Sequence, residues 1–208
     1  MAKSKILLFS DLHNKIINFK KQKKSVVLCH GVFDLFHQGH IEHLIEAKKQ
    51  GDILIVTITP DKYVNKGPGR PLFSSSNRLK HLASLEIVDY VSENQWPTAI
   101  ETIKLLKPDI YVKGPDYKKN INDETKNIIK EKNIIKKIGG KIYYTKGETL
   151  SSSKLINANT KFHSKDENKF INIIKKKYKF EDIEKIINKF SKFNLLLVGE
   201  SIIDQYIF

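Results

Sequence analysis

Apolar positions along this chain alternate between two regimes. Short runs with both faces apolar occur at Ser25 to Cys29 (SVVLC), Asp52 to Thr59 (DILIVTIT), Val88 to Val91, Asp109 to Val112 and Lys141 to Thr145 (KIYYT). Runs of that length, rich in β-branched residues, read as buried strands. Between them the apolar residues fall at helical spacing. Leu12, Ile16, Ile17 and Phe19 mark a helix within residues 10 to 20, ahead of the charged break Lys20 to Lys24. Ile41, Leu44, Ile45 and Ala47 mark one over Ile41 to Gln50. Further helices are predicted at Arg78 to Leu85, Pro97 to Leu106, Glu124 to Lys137 and Ser151 to Asn157. Pro97 would stand in a first turn, where its missing N–H costs nothing, and Gly139-Gly140 would end a helix. Strands and helices alternating at crossover spacing predict an α/β fold: a Rossmann-like parallel sheet with helices on both faces. In such sheets ligands sit outside the carboxyl ends of the strands, where the strand order reverses.

The same pattern divides the chain. Residues 1 to 24 form a lead-in helix and 25 to 158 the α/β domain. Residues 159 to 192 are polar, Lys-rich and helical in pattern (Ile183, Ile186, Ile187, Phe190), which reads as a linker. Phe193 to Val198 (FNLLLV) then opens a new strand within 193 to 208.

Composition narrows the class. The chain has 208 residues, of which 40% are hydrophobic and 10% aromatic, enough to bury a core. No apolar run approaches the roughly 18 residues of a membrane span, and the N-terminus lacks the long apolar region of a signal peptide. Cys29 is the single cysteine, so neither a disulfide framework nor a cysteine zinc site is expected. The expected compartment is the cytoplasm. The net charge of +14 invites a polyanion partner. Residues 1 to 158 hold 27 basic and 16 acidic groups, against 10 and 7 in residues 159 to 208. Yet 35 of the 37 basic residues are Lys, much of it on predicted helix faces; the two arginines are Arg70 and Arg78. Base readers favour the Arg fork, so no specific nucleic-acid partner is expected.

Four strand-end segments carry chemistry suited to anions. After the first strand comes His30-Gly31-Val32-Phe33-Asp34-Leu35-Phe36-His37-Gln38-Gly39-His40. His37 and His40 flank Gly39 at a helix start, where free amides and the dipole favour an anion, and the two glycines admit close approach of a phosphate. His37, His40 and His43 lack a carboxylate or Cys at ligand spacing, so no resident metal site is expected. After the second strand comes Lys66-Gly67-Pro68-Gly69-Arg70-Pro71, then Asn77-Arg78 at a helix start. Both arginines thus fall where a loop would fold over a triphosphate, and a planar fork is a reason to keep Arg there. After the fourth strand comes Lys113-Gly114-Pro115-Asp116-Tyr117, with Asp116 placed to hold Mg²⁺ or a ribose. After the fifth come Lys146-Gly147-Glu148 and Ser151-Ser152-Ser153, which read as a helix cap or a second phosphate cradle.

GVFDLFHQGH resembles the signature of the HxGH-type nucleotidyltransferases, the cytidylyltransferase-like group, over about residues 10 to 158. Within that group the likeness is greatest to the adenylyltransferase domains of bacterial bifunctional ADP-heptose synthesis enzymes. It rests on HGVFD (30 to 34), KGPGRP (66 to 71), KPDIYVKGPDY (107 to 117), GGKIYY (139 to 144) and SSSKLI (151 to 156). The resemblance implies transfer of AMP or CMP from ATP or CTP, with Mg²⁺, to a sugar phosphate, releasing pyrophosphate. By the same resemblance His37, His40, Lys66 and Arg70 are catalytic. Gly31, Val32, Phe33, Asp34, Gly39, Lys113, Asp116, Tyr117, Ser151, Ser152 and Ser153 bind the nucleotide. Three serines replace the usual Ser-Thr-Thr, Lys146 stands near the place of an expected Arg, and Pro115 replaces an expected glycine. FNLLLVGESIIDQYIF (193 to 208) resembles the opening strand of a ribokinase-type sugar kinase, implying fusion to such a domain. A homodimer is a further expectation. The alternatives are a glycerol-3-phosphate-type cytidylyltransferase and a non-catalytic nucleotide- or nucleic-acid-binding module.

Overall fold

The computed structural model describes residues 2–67, 69–117, 127–146, 165–190 and 193. Its first compact unit spans residues 1–159 and its second residues 160–208. Five strands build the first unit: β1 (Val26–Gly31), β2 (Ile53–Ile58), β3 (Tyr90–Glu93), β4 (Ile110–Lys113) and β5 (Lys141–Tyr144). All pair in parallel, in the order β3-β2-β1-β4-β5. The order therefore reverses between β1 and β4, with Cys29 opposite Val112 near their carboxyl ends. Val26, Val27, Leu28 and Cys29 of β1 are wholly buried, because helices cover both faces of this central strand.

The helices are α1 (Phe9–Lys21), α2 (Gln38–Lys48), α3 (Ser75–Ala83), α4 (Ile100–Leu106) and α5 (Asn127–Lys137). On one face Leu44 and Ala47 of α2 and Leu79, Leu82 and Ala83 of α3 pack on Val27, Cys29, Leu54 and Val56. On the other, Phe9, Leu12 and Ile16 of α1, Ile103 and Leu106 of α4 and Ile135 of α5 pack on Val26, Leu28, Ile55 and Tyr111. The buried residues of each helix recur three or four positions apart, the spacing that puts them on one side. The lead-in helix α1 is thus part of the sheet's second apolar layer.

Several boundaries differ from the sequence reading, among them α3, which runs Ser75–Ala83 rather than from Arg78 to Leu85. Pro97 does not open α4, which starts at Ile100. Asn94 holds the intervening loop: its amide donates to the carbonyls of Trp96 (2.7 Å) and Thr98 (2.9 Å), and its Oδ1 accepts the Thr102 hydroxyl. Strand β3 starts two residues later than expected, because Val88 lies in a tight turn, its N–H donating to Leu85 O. Helix α2 starts at Gln38 rather than Ile41, which brings His40 into its first turn. The predicted helix Ser151 to Asn157 lies outside the described residues.

The second unit contains α6 (Lys165–Lys177) and α7 (Phe180–Phe190), inside the stretch expected to be a helical linker. Of the predicted strand opening at Phe193, only Phe193 is among the described residues. No helix among the described residues is long and apolar enough to cross a membrane.

Candidate active site

The carboxyl end of β1 and the start of α2 form the floor of the site. The chain leaves the sheet through Phe33, whose φ of +49° is left-handed, a costly conformation for a bulky residue. A Cβ at Gly31 would lie 3.0 Å from the Phe33 ring, so glycine makes room for that side chain. The rings of Phe33 and Phe36 stand 5.2 and 5.4 Å from His40. His37 precedes α2 in extended conformation, and its ring stacks on His40 at 3.9 Å.

The His37 backbone N–H donates to His40 Nδ1 at 3.4 Å. A backbone nitrogen can only donate here, so His40 Nδ1 is an acceptor and the neutral ring carries its proton on Nε2. Burial, then His37, His43 and Lys66, push the His40 pKa down to about 3. Burial, then Lys66, lowers that of His37. Both rings are therefore neutral near pH 7. Both ring nitrogens of His37 are buried without a hydrogen-bond partner among the described residues.

The loop after β2 brings Lys66 close enough to these histidines for its charge to act on both. Gly67 (φ +97°) and Gly69 (φ +70°) give it turns that side chains with a Cβ resist. Asp34 anchors it. Its Oδ2 accepts Arg70 Nε (2.6 Å) and Leu72 N (3.0 Å), and its Oδ1 accepts Phe73 N (2.9 Å). Burial raises the Asp34 pKa, but the Phe73 and Leu72 amides and Arg70 outweigh it and hold the carboxyl below the usual range. Asp34, expected among the nucleotide contacts, instead fixes Arg70 and its loop. Arg70 Nη2 is left buried and unpartnered among the described residues. Desolvation, then Arg70, lowers the pKa of Lys66, with Asp34 acting against them.

The expectation that both arginines meet a triphosphate is corrected for Arg78. Its side chain is fully buried and engaged by the protein. Nε donates to Phe73 O (3.0 Å), Nη1 to Val32 O (2.5 Å), and Nη2 to Thr59 O (2.8 Å) and Asp61 Oδ1 (2.5 Å). The fork ties the loops after β1 and β2 to α3. It builds the site without facing it.

Across the reversal point, Lys113 ends β4 with its ammonium 3.1 Å from Glu131 of α5. Glu131 also accepts the Tyr111 hydroxyl at 3.1 Å. The ammonium lies 4.5 Å from the centre of the Tyr117 ring, so Lys113 ties the turn Pro115–Tyr117, which carries Asp116, to α5. Beside it, His43 of α2 meets Thr145 just past β5. Glu46 of α2 accepts the Tyr143 hydroxyl (2.6 Å) and Lys146 N (2.9 Å). Glu131, Glu46 and Thr145 had no signal in sequence, since each partner lies 18 to 102 residues away. His43 was visible through its spacing from His40, but only as a doubtful metal ligand. Ser151, Ser152 and Ser153 lie outside the described residues.

The orphaned atoms are imidazole and guanidinium nitrogens, next to a lysine. Asp34 is already engaged, and no cluster of three or more His, Cys, Asp or Glu among the described residues suits a metal ion. The donor set fits a polyanion.

Comparisons with known proteins bear on the family and the fold. The cytidylyltransferase-like family model matches residues 28–158. The bifunctional protein HldE of Syntrophotalea carbinolica is 36% identical over 141 residues, 67% of this chain and 27% of that protein. HldE of Aliarcobacter butzleri is 35% identical over 163 residues, 77% and 33% respectively. The chain thus spans about a third or less of these relatives. A lipopolysaccharide core biosynthesis protein from Thermoplasma volcanium is similar in structure, with a TM-score of 0.50 and 29% identity over 60% of this chain and 98% of that one. A pantoate–β-alanine ligase from Francisella tularensis shares the fold, with a TM-score of 0.52 at 19% identity over 90% of this chain and 85% of that one.

Proposed function

Because the chain belongs to the cytidylyltransferase-like family of nucleotidyltransferases, we propose that it transfers a nucleoside monophosphate from a Mg²⁺-bound triphosphate to a sugar phosphate. The resemblance of its motifs to the adenylyltransferase domains of bacterial bifunctional ADP-heptose synthesis enzymes supports ATP over CTP, a heptose phosphate as acceptor and fusion to a sugar kinase. The observation that carries the reading is the set of unpartnered buried nitrogens, on His37 and Arg70, at the point where strand order reverses.

A phosphate oxygen of the acceptor attacks the α-phosphorus. The new P–O bond forms as the bond to the β-phosphate oxygen breaks, and pyrophosphate leaves with the electron pair. A phosphate monoester is largely ionised at neutral pH, so no general base is needed. The barrier is the approach of two polyanions, which positioning and charge neutralisation lower. His40 donates through Nε2–H to a phosphoryl oxygen, and His37 donates beside it. Arg70 Nη2 and Lys66 take the charge that develops on the leaving pyrophosphate. Mg²⁺ carried by the triphosphate would supply further charge neutralisation beside these residues. Asp34 keeps Arg70 aimed, and Arg78 keeps the two loops together.

The test is pyrophosphate release with ATP and with CTP over a panel of sugar phosphates, comparing wild type with His40→Ala. A loss of about 10²–10³ in turnover is expected from removing one transition-state donor. Release unchanged in His40→Ala, or no release with any pair, refutes the reading.

A further inference from the structure

Helix α2 carries His37 and His40 at its start, and one turn further on it is tied to two strand ends by a hydrogen-bond chain. His43 Nδ1 lies 3.1 Å from Thr145 Oγ1. Thr145 Oγ1 in turn donates to Lys113 O at 3.4 Å, and Thr145 N donates to the same carbonyl at 3.0 Å. A carbonyl can only accept, and a threonine hydroxyl has one hydrogen. Both contacts of the hydroxyl are satisfied together only if His43 Nδ1 holds a proton and donates it to Thr145. The chain then runs from α2 through Thr145, next to β5, to the last residue of β4. Lys113 is also the residue whose ammonium is held by Glu131 and lies against Tyr117. The neutral ring is supported by its surroundings: burial, then Lys113, lowers the His43 pKa to about 4, with Glu46 acting against them. His40 is the remaining titratable neighbour on the same helix.

We propose that His43 is a positioning residue of the nucleotide site, a neutral Nδ1–H imidazole that locks the helix bearing His37 and His40 onto the ends of β5 and β4 through Thr145. This rests on the nucleotidyltransferase reading. The lock sets the distance between the two halves of the site that face each other across the β1–β4 reversal. Without it, the histidine pair and the Lys113–Tyr117 turn can drift apart, which weakens nucleotide binding before it affects chemistry. Glu46 latches the same helix to Tyr143 and Lys146, so loss of the His43 link alone leaves the fold intact.

The experiment compares wild type with His43→Leu, His43→Asn and His43→Gln in the full chain. An Asn amide nitrogen falls near the place of Nδ1, a Gln amide near Nε2. Steady-state kinetics with Mg²⁺-ATP, exchange of the Thr145 amide hydrogen, thermal unfolding and the ¹⁵N signature of the His43 ring are read in parallel. For His43→Leu, loss of one net hydrogen bond gives a KM for nucleotide raised about 5- to 10-fold, with kcat within about twofold and faster Thr145 exchange. His43→Asn should return KM and exchange close to wild type, His43→Gln should not, and the ring should be protonated at Nδ1 alone near pH 7. The proposal is overturned if Gln rescues and Asn does not, since His43 would then act through Nε2. It is equally overturned if His43→Leu lowers Tm with KM unchanged, or if Nε2 carries the proton. Wild type inactive with every nucleotide would refute the nucleotidyltransferase reading alone. The His43 link is then judged by Thr145 exchange in the Leu and Asn variants and by the ring tautomer.

Discussion

Replacing each arginine by lysine should separate two roles that the sequence places side by side. Arg70 divides its guanidinium: Nε holds Asp34 at 2.6 Å, while Nη2 is buried with no partner among the described residues. A lysine offers one ammonium on a flexible stem and cannot serve both sides. A lysine that stays on Asp34 keeps the ion pair, and Asp34 keeps its two backbone donors, so folding should lose only about 1 kcal/mol. The anion-facing donor is lost, and a hydrogen bond to a charged group is worth about 1.5–3 kcal/mol, or about 10- to 150-fold in kcat/KM.

Arg78 behaves in the opposite way. It is wholly buried and donates to three carbonyls and Asp61. A lysine can serve one of these acceptors well and leaves about three short of a donor. At about 1 kcal/mol each, the low end for partly buried acceptors, the loss is about 3 kcal/mol. For a chain of this size that lowers Tm by about 6–12 °C. Circular dichroism melts and pyrophosphate-release kinetics on the two variants are the assay. The reasoning fails if Arg78→Lys melts with wild type, or if Arg70→Lys is as destabilised as Arg78→Lys and equally active per folded molecule.

Asp34→Asn keeps the shape of the loop anchor but removes its charge and places an amide against Leu72, Phe73 or Arg70 N–H donors. It should lower kcat/KM by about tenfold through a misaimed Arg70, read by kinetics at saturating sugar phosphate; unchanged kinetics would detach Asp34 from Arg70's function. Acid stability follows from the depressed histidines. The folded pKa values of His30, His40 and His43 are about 3, 3 and 4. Below the unfolded value near 6.5, only the unfolded chain takes up these protons, so the stability present above that pH is lost as pH falls towards 4 and 3. Each group contributes up to about 1.4 kcal/mol per pH unit. Tm should fall between pH 6.5 and 4.5, with a shallower fall in His43→Asn; an equally steep fall there would contradict the assignment. Omitting Mg²⁺ should abolish turnover while leaving the Tm of the nucleotide-free protein unchanged, and a metal-dependent melt would point to a resident ion instead.

The architecture was legible because it depends on local pattern. Runs such as VVLC and ILIVT cannot be solvated on either face, and helices spaced between them must cover the sheet, so the parallel α/β layout and the strand-end location of the site follow from the order of residues alone. The His37–His40 pair was legible for the same reason, as both lie within one helix start. Pro97 stands outside the helix because the nearby Asn94 side chain, bonded to Trp96, Thr98 and Thr102, holds the segment as a loop against the helix-start signal. Arg70 and Arg78 are alike in sequence context. Only the tertiary structure separated them, by surrounding Arg78 with acceptors and leaving one nitrogen of Arg70 without one. Asp34 likewise changed from a nucleotide contact to a loop anchor once residues 70 to 73 folded back onto it. Residue type and spacing determine which groups reach the strand ends. Which of them stay unpaired, and so free for a ligand, is decided by partners distant in sequence, and that exists only after the chain has folded.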